Sequence, residues 1–164
     1  MPHLLWDASA LAKRYTEELG SPTVQVLFDV VSRSQMITTI WGYAESFSIL
    51  MCRHNSGVIS ASAFTKAASA LENEFIFDPD PTVLSIDDTA ILSGIAIMRK
   101  HNRNATDAAI LVIFMRYVAA SGLTAVALVS ADKRLLRAAQ SEGLAVINPE
   151  AIAAAEVPAL IASL

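Results

Sequence analysis

One cysteine, Cys52, is the whole thiol complement of the chain, which excludes an internal disulfide and any cysteine-rich zinc site. Its apolar helical surroundings mark it as a small core residue. The three histidines, His3, His54 and His101, share no spacing with a nucleophile or a metal motif and are read as structural. Charged residues make up only 17% of the chain and leave a net charge of −4. That balance argues against a protein that grips nucleic acid by bulk electrostatics. A nucleic-acid enzyme stays open, because carboxylates that hold metal ions subtract from the formal charge and bound ions return it. No apolar run reaches about 18 uninterrupted residues. The nearest, 108–131, carries Arg116 in its middle and is broken at Ser121-Gly122. The N-terminus has no basic region followed by an apolar signal core. A soluble, cytoplasmic protein without membrane contact is expected.

Apolar residues, by contrast, are abundant: 54% of 164 residues, with mean hydropathy +0.46. A chain of this length forms one domain with a real core, so the range 1–164 is read as a single domain. The surplus apolar surface is expected to meet a partner or a second copy. The periodicity predicts strands over 4–6, 36–39, 82–86, 123–129 and 144–147. Helices are predicted over 8–18, 22–31, 40–53, 60–74, 87–101, 107–120 and 132–141, with a small Ala-rich helix after Pro149. Thr106 is taken as the cap of the helix at 107, and Phe47, Leu50 and Met51 as the apolar stripe of the helix at 40. Trp6 and Trp41 are assigned to the core. Strands alternating with helices throughout predict an α/β fold with a parallel sheet covered on both faces.

Four acids recur at or near strand ends and helix starts. Asp7 follows Leu4-Leu5-Trp6 and precedes Ala8, Leu11 and Tyr15, the spacing of one helical face. A carboxylate at that junction lies at the carboxyl edge of the sheet, where open α/β folds place ligands; equally, Asp7, or Ser9 behind it, caps the helix. Glu45 lies inside a helix otherwise carrying Phe47, Ile49, Leu50 and Met51, where an unpaired carboxylate is expensive to bury. Asp107 heads the most apolar helix, and Asp132 follows the most apolar strand. Singly, Asp107 and Asp132 read as ordinary helix starters. Jointly, right-handed crossovers bring all four junctions to one edge of the sheet. Carboxylates so close repel one another unless a cation intervenes. Oxygen-only ligation selects a hard ion, Mg²⁺ or Mn²⁺, and such a site suits phosphodiester hydrolysis. Lys13, Arg14, Lys133, Arg134 and Arg137 follow these acids and are candidates for phosphate contact, against the simpler reading of a solvated helix face. Asp87 and Asp88 read as helix starters.

The ordered set Leu5-Trp6-Asp7-Ala8-Ser9-Ala10-Leu11-Ala12-Lys13, Ala44-Glu45, Thr106-Asp107-Ala108-Ala109-Ile110-Leu111 and Ser130-Ala131-Asp132-Lys133-Arg134-Leu135 resembles the PIN domain, and within it the VapC-type ribonuclease toxins of toxin–antitoxin pairs. The resemblance spans 4–148. It implies a three-layer α/β/α sandwich with a central parallel sheet and Mg²⁺- or Mn²⁺-dependent cleavage of RNA, commonly tRNA or rRNA, leaving a 3′-hydroxyl and a 5′-phosphate. It implies a homodimer and inhibition by a cognate antitoxin. It makes Asp7, Glu45, Asp107 and Asp132 the metal-binding acids, with Ser9 and Ser130 as hydrogen-bonding supports. The apolar helices around 24–31 and 64–71 are the expected antitoxin surface.

Two other readings remain. An Asp-nucleophile phosphatase is suggested by an apolar strand ending in Asp7, although Ser9 stands where that chemistry usually wants a second acid. A PIN-like binding module or receiver-like switch would hold metal without turnover.

Overall fold

Strand β1 (His3–Trp6) lies at the centre of a five-stranded sheet and sends its side chains to two separate cores. Leu4 and Trp6 enter one core and Leu5 the other, because successive side chains of a strand point to opposite faces. β4 (Val126–Val129) repeats the alternation, with Ala127 and Val129 on one side and Val126 and Leu128 on the other. A strand covered on both faces has no polar side, hence the short, uniformly apolar runs. With β2 (Met36–Thr39), β3 (Thr82–Leu84) and β5 (Ala145–Ile147), the order is β3-β2-β1-β4-β5, every pair parallel. The computed structural model describes all residues, Met1–Leu164.

One face of the sheet is covered by α1 (Ala8–Leu11), α2 (Ser21–Val30), α4 (Ala61–Glu72) and α8 (Val157–Ser163). The other is covered by α5 (Asp88–His101), α6 (Ala105–Ser121) and α7 (Lys133–Ser141). The result is the three-layer α/β/α sandwich expected from the sequence. Helix α3 (Ile40–Asn55) leaves β2 at the carboxyl edge and packs on α1, α4 and α6. Its buried positions are Gly42, Ser46 and Leu50, so it lies close to the sheet. A Cβ on Gly42 would come within 2.6 Å of Thr38 Oγ1, whose hydroxyl donates to the Trp6 carbonyl at 2.9 Å.

Several boundaries and faces differ from the periodic reading. The expected helix over 8–18 stops at Leu11 and tightens into a 3₁₀ turn, Ala12–Arg14, after which the chain follows tertiary bonds that periodicity does not encode. Tyr15 donates to Glu74 Oε2 at 2.7 Å, and Ser21 donates to the Thr16 carbonyl at 2.7 Å. α6 begins two residues early because Asn104, not Thr106, is its cap, Oδ1 accepting from the Asp107 amide at 2.8 Å. α4 runs on through a π-helical turn, Asn73–Phe77, that buries Phe75. Phe47 is 37% exposed and packs edge-on against Phe64 of α4 instead of joining the core. Cys52 is on the surface, and Trp41 is half-buried. The apolar side chains of the proposed antitoxin helices, Val24, Leu27, Phe28, Val31, Ala67 and Leu71, are consumed by the first core. Exposed apolar residues lie elsewhere, among them Leu92 (66%) and Ile95 on α5. No helix is long and apolar enough to cross a membrane.

Candidate active site

Asp7 is the residue after β1 and the cap of α1 at once. Its amide donates to the Val129 carbonyl, continuing the β1–β4 ladder, while its carboxylate takes the Ser9 amide at 3.1 Å. Asp7 therefore caps α1 while lying at the carboxyl edge of the sheet. Its Oδ2 also accepts from Ser9 Oγ at 2.5 Å and from Ser130 Oγ at 2.9 Å. All three bonds fall on Oδ2, leaving Oδ1 without a protein donor. Asp7 is only 6% exposed. Burial pushes its carboxyl above the usual range, against the pull of the two hydroxyls, and Asp107 pushes in the same direction.

Three further elements deliver acids to the same edge. β2 hands over to α3, whose second turn carries Glu45. α6 runs antiparallel to the strands into β4, so its first turn, with Asp107, lies at the same end. β4 hands over to α7, which Asp132 caps through Oδ1, accepting the amides of Arg134 (2.7 Å) and Leu135 (3.1 Å). Asp7, Glu45, Asp107 and Asp132 line one open cavity of about 290 Å³, with Ser9 and Ser48. Glu45 is half-buried and makes no hydrogen bond or ion pair. Burial raises its carboxyl, and Asp7 and Asp107 raise it further by repulsion. Asp132 is held low: burial works against this, but the two α7 amides and Arg103 outweigh it.

Ser9 and Ser130 both donate to the Asp7 carboxylate. Besides holding Asp7, Ser9 Oγ accepts from the Ala131 amide at 2.9 Å, and Ser130 Oγ accepts from the Asp132 amide at 3.0 Å. The two serines thus stitch the start of α1 to the β4–α7 turn.

The basic candidates divide. Lys13 is turned inward, its side chain 4% exposed, and is paired with Glu150 (2.8 Å) and Glu18 (3.2 Å). Arg14 pairs with Glu74 and Gln25 and lies over the Phe28 ring. Neither offers a free cation to a phosphate. Lys133, Arg134 and Arg137 are exposed on α7, although Arg134 donates to the Asn102 carbonyl at 2.7 Å. The residue that sequence reasoning missed is Arg103. Its Nη2 bonds Asp107 Oδ2 and, at 2.7 Å, Asp132 Oδ2. It lies in a stretch that reads as loop, and its four-residue spacing from Asp107 is the only local hint.

The donor set fits a hard divalent ion in part. Asp7 and Glu45 line a shared cavity, Asp7 Oδ1 and the Glu45 carboxylate have no protein partner, and a cation would relieve the repulsion between the two acids; Asp107 lines the same cavity with one oxygen open. Asp132 has both oxygens engaged. The side chains as they stand do not converge into a group of three metal ligands.

No protein-family model matches the chain, and no curated protein matches it in sequence. Solved structures do match in shape. PAE2754 from Pyrobaculum aerophilum superposes with a TM-score of 0.61 at 17% identity, covering 99% of this chain and 96% of that one. FitAcB from Neisseria gonorrhoeae gives 0.60 at 13%, covering 91% and 99%. VapC20 of Mycobacterium tuberculosis, a toxin that cleaves the sarcin–ricin loop, gives 0.62 at 13%, covering 89% and 99%. The chain has the PIN-domain fold. At such identities the likeness is one of architecture, and the chemistry must be argued from the acids themselves.

Proposed function

We propose that this PIN-fold chain is a metal-dependent endoribonuclease, the toxin of a toxin–antitoxin pair, acting in the cytoplasm. The observation that carries the reading is Asp7: a nearly inaccessible carboxylate, fastened through one oxygen by two serines, its other oxygen without a donor, in a residue that lines one cavity with the unpartnered Glu45. Such an arrangement is unfavourable unless a cation completes it.

Asp7, Glu45 and Asp107 would hold Mg²⁺ or Mn²⁺, which when bound supplies a water of lowered pKa and offsets charge on the scissile phosphate. Ser9 and Ser130 fix the Asp7 carboxylate through Oδ2 and leave Oδ1 without a protein donor. Glu45, whose carboxyl burial and the neighbouring Asp7 and Asp107 raise above the usual range, can take a proton from an attacking water. Lys133 and Arg137, exposed on the helix that Asp132 caps, are the side chains available to the RNA backbone. Tight substrate binding by charge alone is not expected of an acidic chain, so specificity falls to the shape of the RNA. A tRNA or rRNA substrate, a homodimer and a cognate antitoxin complete the proposal.

Purified protein, freed of co-purifying antitoxin, should cleave tRNA or rRNA with Mn²⁺ or Mg²⁺ and not with EDTA. Asp7→Asn, Glu45→Gln and Asp107→Asn should each abolish cleavage while keeping the native fold. Full activity in all three would refute the site. Metal binding without cleavage of any RNA would favour a non-catalytic PIN-like module.

A further inference from the structure

Arg103 is the buried cation that pairs with acids of the cavity. Its side chain is 4% exposed, its Nη2 serves Asp107 and Asp132 together, and its Nε is buried with no partner at all. A guanidinium this enclosed is costly unless carboxylates surround it. The backbone around it is fastened from both sides. Asn102 adopts a left-handed conformation (φ 50°) to end α5, and its carbonyl is held by Arg134. Asn104 caps α6 while its Nδ2 donates to Asp107 Oδ2 at 2.9 Å. Asp107 therefore receives two side-chain donors on Oδ2 and presents Oδ1 alone. Asp132 has each oxygen engaged, Oδ1 by the α7 amides and Oδ2 by Arg103.

We propose, building on the nuclease reading above, that Arg103 is a built-in counter-cation that positions Asp107 and restricts the site to one divalent ion, with Asp132 acting as its anchor and not as a metal ligand. Two-metal sites hold their ions about 3.5–4 Å apart and share carboxylates between them. The second position would have to draw on Asp107 Oδ2 and Asp132, the two groups that the guanidinium already occupies. A second dication there would also sit against a fixed positive charge. Arg103 is a positioning residue on this account, since it reaches the site only through Asp107.

The test is calorimetric titration of the metal-free chain with Mn²⁺, with circular dichroism to verify folding. Wild type should take up one ion per chain, against the two of a two-metal site. Arg103→Gln should gain a second ion, and Arg103→Lys, which keeps the charge, should not. Asp132→Asn, which retains a helix-capping side chain and is the safeguard should Arg103→Gln misfold, should bind Mn²⁺ as wild type does. Two ions in wild type, an unaltered stoichiometry and affinity in folded Arg103→Gln, or loss of Mn²⁺ binding in Asp132→Asn would each overturn the inference. Metal-dependent RNA cleavage accompanying any of those results would leave the nuclease reading standing. Absence of any Mn²⁺ binding by wild type would remove both.

Discussion

Ser9 Oγ and Ser130 Oγ lie 3.1 Å apart although 121 residues separate them, and both bond the same oxygen of Asp7. Each hydroxyl has one proton. With both protons committed to an ionised Asp7, the close approach of the two oxygens follows from sharing one acceptor. Ser130 is fully buried, so its removal leaves both Asp7 and the Asp132 amide short of a partner. Ser130→Ala should cost about 1–3 kcal/mol in denaturant unfolding. It should also weaken Mn²⁺ binding about 10–100-fold, as loss of a partner behind a metal ligand commonly does. Stability and affinity indistinguishable from wild type would refute the supporting role.

Asp7→Asn should act in opposite directions on the two forms of the protein. Asparagine keeps an acceptor for Ser9 and Ser130 and removes the charge that burial and Asp107 disfavour. Without metal, its melting temperature at neutral pH should exceed that of wild type. Mn²⁺ should raise the wild-type melting temperature by linkage and leave the variant unmoved. A variant less stable than wild type in EDTA would contradict this account of Asp7.

Acid sensitivity should trace in part to Glu18, which is not among the residues lining the acidic cavity. Burial acts to raise its carboxyl, but Arg53 at 2.5 Å and the enclosed Lys13 outweigh it and hold it below the ordinary value. A carboxylate lowered by folding contributes stability that is present above its unfolded value of about 4.3 and lost as pH falls through the folded one. Glu18→Gln should therefore lower the melting temperature at neutral pH, with the difference from wild type shrinking as both are taken below about pH 4. A gap that stays constant across that range would exclude the ion pairs as its source.

Gly42→Ala probes the contact between α3 and the sheet. The added methyl meets Thr38 Oγ1, which cannot retreat without releasing the Trp6 carbonyl. A loss of about 1–3 kcal/mol is expected from such overpacking, together with reduced RNA cleavage, because Glu45 rides on the same helix. An unfolding midpoint equal to that of wild type would show that α3 has room to move.

The sheet was legible because its evidence is local. Leu4-Leu5-Trp6 and the run ending at Val129 can hardly be anything but doubly covered strands, and alternation of strand and helix then dictates their direction. Asp7, Glu45, Asp107 and Asp132 were legible as a set for the same reason: topology alone carries their junctions to one edge. What stayed hidden was decided by partners distant in sequence. Lys13 looks like a solvent-facing cation beside Asp7, yet it is claimed by Glu150, 137 residues away. Phe47 looks like core and instead meets Phe64 on a neighbouring helix. Arg103 looks like loop, and only the approach of the β4–α7 turn reveals that two acids share it.

The strand order carries a consequence for the timing of synthesis. Asp7 is made almost first, but its clamp is completed by Ser130 and the β4 strand, made almost last, and β1 stays an edge strand until β4 arrives. A chain that has not yet reached β4, or one cut short before it, has its first acid with one of its two hydroxyl partners absent and a cavity with one wall missing. Whatever chemistry the acidic edge performs is thus withheld from every form of the chain that lacks β4 and Ser130.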